Sequence, residues 1–184
     1  MKRRVKWNVS AGAILLAALL YFFDGDGVMS ALLPAALVHE LGHIAALRLC
    51  SCRLTRISIS VTGAQLDYAP SLEGLRAALC CLAGPLAGAV YAVTACTAGG
   101  AFWRMSGAIS FALSVFNCLP ILPLDGGRVM FSILPTAQAR RISRIAALLF
   151  LAGGIAIALR FRSVSTAAMG IWLTAHNLRG DASK

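Results

Sequence analysis

Three residues of the 184-residue chain, His39, Glu40 and His43, stand in the run HELGH, inside the otherwise aliphatic stretch PAALVHELGHIAAL. On a helix, side chains four apart project from one face a turn apart, so His39 and His43 offer two imidazole nitrogens to a single ion. Such a pair suits zinc, and a glutamate beside it acts as general base on a water that the metal has made acidic. H-E-x-x-H is therefore a hydrolytic pattern. Ionisable groups are costly in hydrocarbon, and a chain that places two of its three histidines in one apolar segment does so for a function.

Catalytic zinc takes three protein ligands, so one is still to be found. Asp24 and Asp26 lie in the turn-like DGDG, Asp67 and Glu73 in or beside a non-spanning segment, and Asp181 in the tail. Asp125 stands in NCLPILPLDGGRV, after two prolines and before two glycines. Proline ends a helix and glycine frees the backbone, which lets a carboxylate turn back into a bundle. His43 lies six residues from the inner end of its segment, about 9 Å at helical rise, and Asp125 arrives from that same side. A zinc ion with ionised Asp125 and Glu40 sums to zero charge, the least costly state for a buried cluster. His176 is the alternative third ligand, but it ends the last apolar segment without a helix-breaking context, so ligand type and setting favour Asp125.

The elements that must carry these residues are membrane helices. With 59% hydrophobic and only 13% charged residues, the chain cannot cover a soluble domain of its length with polar surface. Apolar runs of spanning character recur at 9–23, 28–49, 72–98, 105–122, 145–159 and 164–178, which predicts an all-α membrane protein of about six transmembrane helices. The N-terminal MKRRVK followed by ILLAALLYFF has no small-residue cleavage site, and it is read as a retained first span. Alternating sides from an inside N-terminus puts fourteen of the 17 Lys and Arg residues on the cytoplasmic side, with both termini. The net charge of +10 is thus a topology signal, and nucleic-acid binding is not expected.

Between the second and third runs, Ile57, Ile59 and Val61 alternate with Ser58, Ser60 and Thr62, a strand period. The alternation breaks at Gly63-Ala64 and resumes with Leu66 and Tyr68, which fits an amphipathic strand or hairpin over 56–68 at the cytoplasmic face, with a plain connecting loop as the alternative. The six cysteines show neither metal spacing nor a disulfide framework and are expected to be structural. Gly84 and Gly88, four apart in GPLAG, are read as a close-packing helix surface rather than as chemistry.

With both motifs placed, the chain resembles the site-2 protease family, zinc metalloproteases that cut substrates within the membrane. HELGH is similar to its H-E-x-x-H. NCLPILPLDGGR, Asn117 to Arg128, is similar to its second motif, an asparagine with spaced prolines and a Leu-Asp-Gly signature. AGPLAG, Ala83 to Gly88, is similar to the small-residue stretch of the intervening span. The resemblance covers about 28–129, a catalytic core, with 130–184 as additional helices of a single polytopic protease domain. It implies Zn²⁺ held by His39, His43 and Asp125, with Glu40 as catalytic base and Asn117 near the site, helping to hold substrate. The family's strand-forming membrane segment is similar to 56–68, which makes Ile57, Ile59, Val61 and Gly63 substrate-binding positions.

No PDZ or CBS domain is expected, and the compact layout is similar to the branch that includes sporulation protein IVFB. The expected substrate is a membrane-embedded protein, such as a regulatory-factor precursor or a single-span regulator, with a regulatory membrane partner. The expected location is the bacterial cytoplasmic membrane, with the active site toward the cytoplasm. The rival is a non-proteolytic zinc-binding membrane protein or a metal transporter. A transport path favours sites spread along its length, whereas these ligands converge on one depth.

Overall fold

Small residues turn inward and large aliphatic ones outward in this chain, the reverse of a water-soluble core. The computed structural model describes residues 5–22, 24–60, 63–162 and 165–179. In chain order these form β1 (Lys6–Val9), α1 (Ala11–Phe22), α2 (Val28–Leu49), β2 (Arg53–Ser60), β3 (Gly63–Ala69), α3 (Gly74–Thr97), α4 (Ala101–Asn117), α5 (Asp125–Ile133), α6 (Thr136–Phe161) and α7 (Ser165–Arg179). On α2 the buried Ala31, Ala35 and His39 are spaced by four, and the exposed Leu33, Leu37 and Leu41 are offset from them by two. Two residues are about 200° of helix, so one face meets protein and the opposite face offers leucine to lipid. Lipid tails are as apolar as leucine, and such helices are held together by close backbone approach and interhelical hydrogen bonds.

Among the described residues three helices, α2, α3 and α6, are long and apolar enough to cross a membrane. The protein is a mostly helical integral membrane protein. The other expected spans correspond to shorter helices: α1 has 12 residues, α4 has 17 and α7 has 15. Phe23 and Val164, the expected ends of the first and last spans, lie outside the described residues. The run at 105–122 does not stay helical to its end. α4 stops at Asn117 and α5 starts at Asp125, so Asp125 opens a new helix instead of closing an old one.

The chain forms two compact units, Met1–Val115 and Phe116–Lys184. In the first, the expected hairpin is present: β2 and β3 pair antiparallel from Arg53↔Ala69 to Ser60↔Gly63. Val61 and Thr62, which the expectation included, lie outside the described residues. The fold is not all-α, because β1 adds a third strand, parallel to β2, from Lys6↔Arg56 to Val9↔Ile59. KWNV alternates polar and apolar over only four residues, too short a run to mark a strand, and its distant partner makes it one.

The helices of this unit meet through glycine and serine. A Cβ on Gly42 would come within 2.5 Å of the Ala83 carbonyl oxygen, which sets how closely α2 approaches α3. A Cβ on Gly107 would stand 2.8 Å from the Ala92 carbonyl oxygen. The Ser106 hydroxyl donates to the Ala31 carbonyl (2.8 Å), and that of Ser110 to the Gly88 carbonyl (2.8 Å). At the start of α2, Gly27 takes the left-handed conformation with φ 71°. Asp24 reaches over it to accept from the Ser30 amide (3.1 Å), so a residue three positions before the N-cap does the capping.

In the second unit, the buried Ile121, Leu124, Ala147 and Leu173 form a core flanked by Phe116, Phe150 and Trp172. Two of these, Ile121 and Leu124, come from the loop that precedes α5. α6 and α7 approach closely at Gly154, where a Cβ would stand 2.8 Å from the Thr166 carbonyl oxygen.

Candidate metal centre

His39 and His43 lie one turn apart on α2, with His39 only 5% exposed at the end of the alanine stripe. Their Nε2 atoms face each other at 3.3 Å, and the rings are near perpendicular at 80°. Two nitrogens bound to one tetrahedral zinc at about 2.05 Å each would be about 3.3 Å apart. The pair thus has zinc's spacing.

The tautomer of His43 fits as well. Its Nδ1 lies 2.9 Å from the Cys80 carbonyl oxygen on α3. A carbonyl only accepts, so Nδ1 carries the proton and the Nε2 lone pair is directed at the site. This second support was not legible in HELGH, because it is a backbone group 37 residues away.

Gly84 is the other residue that the sequence concealed. A side chain there would overlap the His43 imidazole, with its Nε2, Cε1 and Cδ2 as the nearest atoms. The expected role of Gly84 as packing alone is therefore corrected: its missing side chain is the space the His43 ring fills. Gly88 does behave as expected, since a Cβ there would meet the hydroxyls of Ser114 and Ser110 on α4. The signal that could have found Gly84 is its position on the helix whose Cys80 supports His43, and that is tertiary information.

Asp125 is 6% exposed and is the first residue of α5. A carboxylate in the first turn is favoured by the helix dipole. The glycines that follow do not work by freeing the backbone, as expected from sequence. Gly126 and Gly127 are helical, and a Cβ on Gly127 would stand 2.5 Å from the Ile121 carbonyl carbon, while one on Gly126 would overlap the Cys118 carbonyl. They are needed because the first turn of α5 lies directly against the loop that leads into it.

His39 and His43 belong to the first compact unit and Asp125 to the second. Two neutral imidazoles and one carboxylate are a zinc donor set. Glu40 is half-buried on α2, and Asn117 is the half-buried last residue of α4. His176 is exposed and stacks on Trp172, with ring centroids 5.9 Å apart. Asp24 caps α2, Asp67 sits exposed on the hairpin 3.9 Å from Arg56, and Glu73 precedes α3, while Asp181 lies outside the described residues. All six cysteines are free.

A histidine pair one turn apart on an apolar helix, with a glutamate beside it, is a metallohydrolase pattern. The sequence profile of Peptidase family M50 matches residues 71–161, the stretch holding AGPLAG and NCLPILPLDGGR. In fold the chain is similar to the Site-2 Protease from Methanocaldococcus jannaschii, with a TM-score of 0.64 and 17% identity over 94% of this chain and 89% of that one. At that identity the likeness speaks for the fold. No curated protein matches the chain in sequence. Over residues 71–161 the chain is thus similar to Peptidase family M50, a metalloprotease family, and its fold is like that of a site-2 protease.

Proposed function

We propose that the protein is a zinc-dependent intramembrane endopeptidase in which His39, His43 and Asp125 hold the metal and Glu40 is the general base. The observation that carries this is the His39–His43 Nε2 separation of 3.3 Å, with the His43 tautomer set by the Cys80 carbonyl. Zinc, when bound, polarises the scissile carbonyl and lowers the pKa of a water to about 7. Glu40, next to His39 on α2, takes a proton from that water and returns it to the leaving amine. Burial of His39 and Asp125 keeps the local dielectric low, which strengthens each of these interactions. Asn117 helps to hold the substrate backbone.

A helical substrate hides its carbonyls in hydrogen bonds and must unwind to be cut, and strand pairing holds it extended. β2 is the middle strand of the order β1-β2-β3, so the substrate pairs along the outer edge of β3, which begins at Gly63. Ile57 and Ile59 then contribute side-chain contacts from β2, and Val61 is a further substrate-binding position on the alternation of the sequence alone. Water reaches the site at the break before Asp125, where irregular backbone is tolerated beside a wet cavity.

The topology has six crossings, the short α1, α4 and α7 included, with both termini and the site toward the cytoplasm, as the basic residues indicate. The whole of 1–184 works as one protease domain in a bacterial cytoplasmic membrane. Its substrates are regulatory-factor precursors or single-span regulators, consistent with a compact layout similar to the branch of sporulation protein IVFB, and a membrane partner gates access.

The test compares membrane proteomes that contain tagged wild type or Glu40→Gln. Intact single-span proteins should collect with the variant and be shortened by wild type. Turnover should fall about 10²–10⁴-fold, with zinc retained. If neither protein captures or shortens anything in the native host, the protease function fails and metal flux becomes the next assay.

A further inference from the structure

The loop between α4 and α5 carries its polar backbone into a buried setting, and two side chains far along the chain meet it there. The Leu122 amide donates to the Ser143 hydroxyl on α6 at 2.8 Å. That hydroxyl donates onward to Oδ1 of Asn177 on α7 at 2.5 Å. Asn177 Nδ2 in turn donates to the Leu122 carbonyl at 2.7 Å and to the Leu173 carbonyl at 2.8 Å. Ser143 is fully buried and Asn177 is 8% exposed. Each donor and acceptor in this ring is used once or more, and both backbone groups of a single residue, Leu122, are held by it.

Leu122 is three residues before Asp125. On either side of it, Ile121 and Leu124 are pinned in the core with Ala147 and Leu173. Gly126 and Gly127 lie on the loop backbone with no room for a Cβ. The loop is thus fixed by apolar anchors, by close backbone contact, and by one polar clamp that alone has directionality. Apolar anchors tolerate small rotations. A ring of buried hydrogen bonds does not, because a misaligned buried donor or acceptor loses its bond without gaining water.

We propose that Ser143 and Asn177 are positioning residues for Asp125: by clamping Leu122 they set the point from which the carboxylate ligand departs. The assignment rests on Asp125 being a ligand, and it goes beyond that role in naming what orients it. The chemistry is that of an outer-shell support, acting through backbone rather than through the ligand's own side chain.

The test uses the full chain in detergent. Asn177→Asp keeps the shape and the acceptor for Ser143 but turns the donor toward Leu122 O into an acceptor. Ser143→Ala removes the partner of Leu122 N–H and serves as the second variant should the first not fold. Amide hydrogen exchange on the metal-free protein should accelerate roughly tenfold or more across 118–125, while 36–45 on α2 is unchanged. Zinc affinity, from competition with a chromophoric chelator, should fall about 10–100-fold. The proposal is overturned if exchange across 118–125 stays at the wild-type rate, or if every helix accelerates equally, since the pair would then be general core packing. Exchange decides the clamp even where wild type binds no zinc, a result that would instead remove Asp125 as a ligand.

Discussion

His39 and His43 owe their relation to one turn of α2, whereas Asp125 owes its place to groups gathered from a loop and two later helices. In the first region the spacing of two ligands is a property of the helix itself, and tertiary structure adds only the tautomer, through the Cys80 carbonyl, and the room, through Gly84. In the second, no period relates Asp125 to anything. Its surroundings are the Leu122 clamp, the buried Ile121 and Leu124, and two glycines that permit close contact. A functional residue can thus be placed by local geometry or by long-range contacts. The two should then respond differently to substitution: the helical side to changes in space, the loop side to changes in hydrogen bonding.

The contrast can be broken most directly at Gly84. Gly84→Ala forces the His43 ring aside, and zinc affinity should fall about 10–100-fold, as for loss of an orienting contact. Gly88→Ala, one turn on, meets the Ser114 hydroxyl instead. It should cost about 1–3 kcal/mol in stability by overpacking, with zinc affinity close to wild type. Chelator competition beside thermal unfolding separates the two. Equal zinc loss in both variants would mean that α2 is less self-sufficient than its periodicity implies.

A smaller effect is expected at the start of the same helix. The Met29 amide, then those of Ser30 and Val28 with the Ser30 hydroxyl, hold the Asp24 carboxyl below its ordinary value of 3.8, against the opposing effect of lost hydration. A depressed folded value means that the ionised group stabilises the fold above the unfolded value, and that this is lost as pH falls through the folded one. Asp24→Asn should therefore lower Tm slightly at neutral pH. The gap to wild type should close as pH drops below 3.8. A gap that persists in acid would show that Asp24 acts by shape and not by charge.

The smallest expected effect sharpens the comparison by its absence. Cys80 supports His43 through its carbonyl, and its thiol points instead toward Cys50, with the sulfurs 3.6 Å apart. Cys80→Ser keeps the carbonyl, so zinc affinity should be unchanged. A marked loss would mean that the thiol contributes to the site.

The legible parts of the molecule are those that repeat over short distances. H-E-x-x-H was readable because helical rise and turn relate His39 to His43 without help from elsewhere. The hairpin over β2 and β3 was readable because side chains alternate with period two. Membrane residence was readable because composition alone excludes a soluble surface. β1 was not, since an alternation of only four residues becomes a strand only against β2. The two glycines after Asp125 were noticed, but with the wrong physical reason: they answer a lack of space, which a sequence does not display.

By itself, then, the sequence determined the residues of the histidine face, their common side of a helix and the apolar setting around them, because each follows from local period and composition. Only the tertiary structure decided that a carbonyl on α3 accepts from His43 Nδ1 and so fixes its tautomer, that Gly84 makes room for its ring, and that Ser143 and Asn177 hold the loop before Asp125. Those are contacts between stretches far apart in the chain, and no local period encodes which distant groups will meet.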